Sequence, residues 1–76
     1  MAIKKEELKS GCISRAAADE PVFVLRAKDR LAPGVIRYWT QRAANMGVSP
    51  AKIEEALDLA AAMEEWQEAH GCKLPD

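Results

Sequence analysis

Two prolines constrain this chain more than any other feature. Pro33 follows Ala32, Pro50 follows Ser49, and each opens a run of helix-forming residues. Proline fits the first turn of a helix, where its missing N–H costs nothing, and is excluded from the interior. Two helices are therefore predicted, one from about residue 32 and one from Pro50 to about Ala69. Gly47 is suited to the left-handed position that ends the first helix. Ser49 is of the type that caps the second. The connection is short, so the two helices form an antiparallel αα-hairpin. Val35, Ile36, Trp39, Ala43 and Met46 define an apolar stripe on the first helix, and Ile53, Ala56, Leu57, Ala60, Met63 and Trp66 or Gln67 one on the second. Alanines at 43, 44, 56, 60, 61 and 62 let the helices approach closely.

The N-terminal part reads differently. Residues 2–10 are polar helix formers ahead of Gly11, which predicts a short N-terminal helix, frayed over 1–10. Residues 13–18 add a helical turn, and Asp19-Glu20-Pro21 ends it, because the residue before a proline is pushed out of the α region. Val22-Phe23-Val24-Leu25 is the one strand-like run, β-branched, aromatic and without polar alternation. A lone strand leaves both edges unpaired. It either pairs with the same strand of another subunit or packs as an extended segment across the helices. The expected fold is thus mainly α with one short strand, in a single domain over 1–76.

The core is thin. Hydrophobic residues make up 49% of the chain, but fourteen of them are alanine. In a chain of 76 residues one core supplies roughly 3–5 kcal/mol, which points to a homo-oligomer that gains burial from its partner.

Several classes are excluded or disfavoured. No apolar run approaches the roughly 20 residues that span a bilayer, so no membrane partner is expected. Acids at Glu6 and Glu7 replace the apolar region of a signal peptide, and the cytoplasm is the expected compartment. The two cysteines, Cys12 and Cys72, make no disulfide scaffold. With His70 they give three potential metal ligands where a closed zinc site takes four, so no metal and no cofactor is expected. His70 is the single histidine, and no serine or threonine has an evident base beside it; an enzyme is not expected. Residues 1–42 carry a net charge of +4 and residues 43–76 a net of −5. The overall charge of −1 opposes non-specific nucleic-acid binding, which needs a dominant basic field.

The segment from Arg26 to Arg42 is the exception to this bland chemistry. It holds Arg26, Lys28, Arg30, Arg37 and Arg42 with Asp29 as its single acid, and it runs into the helix start at Pro33-Gly34. Free N–H groups from Gly34 onward, the helix dipole and nearby guanidiniums favour a phosphate. Asp29 is of a type that accepts hydrogen bonds from ribose, and Phe23 or Trp39 offers a flat surface to a base. The candidate ligand-binding residues are Phe23, Arg26, Lys28, Asp29, Gly34, Arg37 and Trp39. The same residues also have plain structural uses: Trp39 as core, Arg37 as a partner of the acidic second helix, Asp29 as a cap.

Asp19-Glu20-Pro21-Val22-Phe23-Val24-Leu25-Arg26-Ala27-Lys28-Asp29, followed by Ala32-Pro33 and Trp39, resembles a group of small uncharacterised phage proteins. These share a D-E-P-[VI]-F-V-L-R-A-x-D core, then A-P and an amphipathic helix with tryptophan. The resemblance runs over residues 15–67. It implies a phage accessory protein that acts by stoichiometric binding, of the anti-defence type that sequesters nucleotide immune signals such as cyclic nucleotides or ADP-ribose derivatives. The expectation is therefore a non-catalytic nucleotide sponge. The alternative is an inhibitor or adaptor that binds a host protein through a helix face or the 22–25 strand. DNA binding through Arg37 and Arg42 is disfavoured by the acidic second helix.

Overall fold

The computed structural model of the chain describes residues 12–75. They form one helical turn, α1 (Cys12–Arg15), and two helices, α2 (Ala32–Asn45) and α3 (Pro50–His70). α2 and α3 pack against each other as an antiparallel hairpin. Pro33 and Pro50 occupy the first turns, as their chemistry requires. Among the described residues no helix is long and apolar enough to cross a membrane.

α2 stops in a Schellman arrangement. The Val48 N–H donates to the Ala43 carbonyl (3.1 Å) and the Gly47 N–H to the Ala44 carbonyl (3.2 Å). Gly47 has φ +85°, which only a residue without Cβ adopts cheaply. α3 begins at Ser49, whose hydroxyl makes no capping bond. Its carbonyl instead accepts from the N–H groups of Lys52 (3.1 Å) and Ile53 (3.2 Å).

Two sequence expectations need correction. The strand at Val22–Leu25 does not form: among the described residues there is no sheet, and the one β-bridge joins Asp29 to Lys73. A ladder needs a second extended segment. The helices take up most of the chain, and the extended C-terminal segment meets the backbone at residues 28–30, past the β-branched run. The helical turn expected over residues 13–18 is shorter: it is α1, which ends at Arg15, and a reciprocal turn follows. There the Ala17 N–H donates to Glu20 Oε1 (3.2 Å) and the Glu20 N–H to the Ala17 carbonyl (3.0 Å). The helix expected over 2–10 lies outside the described residues.

The core is built from small side chains. Ala32 and Ala60 are fully buried, with Ala43, Met63 and Thr40 nearly so. The Thr40 hydroxyl donates to the Arg37 carbonyl at 2.6 Å, so its burial leaves no polar group unpaired. Small side chains at a helix–helix contact permit close approach of the two axes. The face of α2 that α3 covers is therefore Ala32, Ile36, Thr40 and Ala43. Val35, Trp39 and Met46, expected to lie in the core stripe, are turned outward.

Candidate functional site

The connection from Arg26 to Leu31 is a pair of tight turns. The Asp29 N–H donates to the Arg26 carbonyl (2.9 Å), and the Ala32 N–H to the Asp29 carbonyl (3.1 Å). The Asp29 carboxylate accepts from the Leu31 N–H (2.8 Å), an Asx turn that leads into α2. α3 pins this connection from the side. The Gln67 amide nitrogen donates to both the Ala27 carbonyl (2.8 Å) and the Asp29 carbonyl (3.0 Å).

Beyond α3 the chain reverses at Gly71, with φ +84°, and returns alongside the turn. The Lys73 N–H donates to the Lys28 carbonyl (3.0 Å), and the Arg30 N–H donates to the Lys73 carbonyl (2.9 Å). These bonds bring two segments more than forty residues apart into one wall. Between them lies an open recess of about 300 Å³ lined by Val24, Arg26, Lys28, Asp29, Lys73, Leu74 and Pro75. Three basic residues and one acidic residue thus line one recess together with Val24, Leu74 and Pro75. That inventory suits an anion carrying a polar, uncharged portion.

The seven residues singled out from sequence separate into two groups. Arg26, Lys28 and Asp29 line the recess. Phe23 adjoins the lining residue Val24 in the chain and is 86% exposed. Gly34 lies on α2 with open space around it and does not line the recess. Trp39 belongs to the outer face of α2 and is half-exposed. Arg37 is engaged by α3: its two terminal nitrogens donate to the two oxygens of Glu64, at 2.8 and 2.5 Å. The bidentate contact raises the Arg37 pKa and holds the Glu64 carboxyl below its ordinary range, each chiefly through the hydrogen bonds, with desolvation opposing the shift and charge attraction adding the smallest part.

Lys73, Leu74 and Pro75 were not foreseen as part of a site. Lys73 had a faint signal, as one of two bases in an otherwise acidic half of the chain. Nothing local in the sequence places it beside Lys28. α3 also carries an acidic surface with Glu64, Glu65 and Glu68, beside the exposed Cys72 that follows the helix. His70 stacks on Trp66 with ring centroids 4.4 Å apart and planes 15° from parallel. Among the described residues no group of three His, Cys, Asp or Glu could hold a metal ion.

In comparisons with known proteins, no family model matches the chain, no curated protein matches it, and no solved structure matches it.

Proposed function

We propose that this protein binds a phosphate-bearing nucleotide in the Arg26–Lys73 recess and holds it without turnover. The observation that carries the reading is the convergence of Arg26, Lys28 and Lys73 on one recess from two segments fixed by backbone hydrogen bonds. Arg26 supplies the planar fork that matches a phosphate bidentately. Lys28 and Lys73 add field. Asp29 accepts a bond from Leu31 at one oxygen, and a carboxylate has further lone pairs for a ribose hydroxyl. Phe23 is the aromatic surface next to the recess along the chain, so it takes the base in this reading, and Trp39 and Arg37 take no part. Sequestration of an immune signal, rather than use of a metabolite, is the part that rests on the likeness to phage proteins.

Calorimetric titration with cyclic dinucleotides, ADP-ribose and inorganic pyrophosphate tests it. Binding of a nucleotide, its loss in Arg26→Ala with unchanged helicity, and release of the ligand at unchanged mass on denaturation are expected. Undiminished affinity in a folded Arg26→Ala variant overturns the site. A ligand recovered with altered mass overturns the absence of turnover.

A second reading, stoichiometric binding of a host protein, is favoured by one observation. Val22, Phe23 and Val24 are 59%, 86% and 59% exposed in a row, and an extended run of this kind can add to the edge of a partner's sheet. Capture of a defined host protein that persists after small molecules are removed, and is lost in Val22→Ser/Val24→Ser, distinguishes it from the nucleotide reading.

A further inference from the structure

The recess has one wall that is built into the hairpin and one that is added to it. The turn from Arg26 to Leu31 is held by its own backbone bonds and by the Gln67 amide. The segment that follows α3 supplies the other wall, Lys73, Leu74 and Pro75. Among the described residues, two backbone bonds dock this segment beyond Gly71. The Lys73 N–H donates to the Lys28 carbonyl and the Arg30 N–H to the Lys73 carbonyl, a single bridge rather than a ladder. Residues 71–75 are exposed, with Leu74 at 56%. Undocking therefore uncovers little apolar surface and transfers two backbone bonds to water, which places it at the low-energy end of local opening.

Gly71 is the pivot. Its N–H donates to the Gln67 carbonyl (2.7 Å), so the end of α3 is fixed up to this residue. Its φ of +84° and ψ of 167° lie in a region that glycine alone enters without strain. A Cβ there would meet nothing within 4 Å, so a substitution acts through the dihedrals alone. Gln67 is the fixed post between the walls: its side chain holds the turn and its carbonyl holds Gly71.

We infer that residues 72–75 are a hinged wall, turning at Gly71 and latched at Lys73, which a bound ligand closes. The inference rests on the nucleotide reading of the recess and adds its regulation. A ligand that touches Arg26 and Lys28 in one wall and Lys73 to Pro75 in the other makes its full contact only with the docked state. It shifts the population toward docking. The coupling is reciprocal, and apparent affinity falls with the docked fraction.

Amide exchange followed by NMR on the full chain tests it, with ADP-ribose and inorganic pyrophosphate as probes. In the free chain the Lys73 and Arg30 amides should exchange together, faster than those inside α2 and α3 and without response to low urea. A bound probe should slow both by about tenfold or more. Gly71→Ala should speed both and weaken probe binding by about fivefold or more. It should leave helicity and the exchange of the Asp29 and Ala32 amides, which are bonded within the turn, unchanged. Lys73 and Arg30 amides that open only with the whole hairpin overturn the hinge. A bound probe that leaves their exchange unchanged overturns the coupling, as does wild-type affinity in a Gly71→Ala chain whose latch is open. If neither probe nor a cyclic dinucleotide binds, the nucleotide reading falls and the coupling with it, while exchange in the free chain still decides the hinge.

Discussion

Arg37 on α2 and Glu64 on α3 meet through two parallel hydrogen bonds, at 2.8 and 2.5 Å, and so couple the two arms of the hairpin at its solvent side. Both side chains are about half exposed, so the pair is screened and its contribution is modest.

That pair sets a pH dependence with a definite sign. The Glu64 carboxyl titrates lower in the folded chain than in the unfolded one. Its contribution is complete above the unfolded carboxylate pKa and is lost as pH falls through the lower, folded value. Arg37 is raised, so its contribution is present throughout the range below its unfolded value. Thermal melts should thus show stability falling on acidification, with a smaller fall in Glu64→Gln. Equal acid sensitivity in the variant would count against the pair.

Gln67 holds the site from behind. Its amide nitrogen satisfies two carbonyls at once, those of Ala27 and Asp29. Gln67→Leu leaves the part-buried Ala27 carbonyl without this donor, while the Asp29 carbonyl keeps the Ala32 N–H, a loss of about 1–3 kcal/mol. Urea denaturation should show it. Ligand affinity at the recess should fall as well, because the turn that carries Arg26, Lys28 and Asp29 loses its anchor.

Two glycines should respond to alanine with opposite signs. Gly47 sits at φ +85° with nothing near a new Cβ, so Gly47→Ala meets backbone strain alone, about 1–2 kcal/mol. Gly34 is inside α2, in open space, without that dihedral constraint. Gly34→Ala should therefore stabilise by about 0.5–1 kcal/mol. It should leave ligand affinity unchanged, since Gly34 lies outside the recess. Denaturation midpoints and titration calorimetry check both.

The alanine seam is the weak point for size. Ala60 is fully buried, and Ala60→Leu forces extra volume between helices in close contact, at a loss of about 1–3 kcal/mol or more. Ala61, one position along and exposed, is the control: Ala61→Leu should change stability by less than about 0.5 kcal/mol.

The hairpin was legible because its signals are local. Proline at 33 and 50 and glycine at 47 and 71 act through their own backbone dihedrals, so their positions alone mark the helix ends. Periodicity was less informative. On α2 it found an apolar stripe that includes Val35, Trp39 and Met46, but the contact formed on Ala32, Ile36, Thr40 and Ala43. A ranking by hydrophobicity favours large side chains, whereas close helix packing favours small ones.

The site divides along the same line. Residue types alone marked out Arg26, Lys28 and Asp29 as a basic connection with one acid, because charge is a property of each residue. Only tertiary structure decided that Arg37 is taken by Glu64, that Gly34 and Trp39 stand apart, and that Lys73 completes the recess. The strand-like chemistry of Val22–Leu25 likewise says what the segment could pair with, while pairing depends on a second segment arriving in register. Local propensity is written in single residues. Which side chains converge depends on contacts between segments more than forty residues apart, fixed here by the Lys28–Lys73 backbone bond and the reach of Gln67.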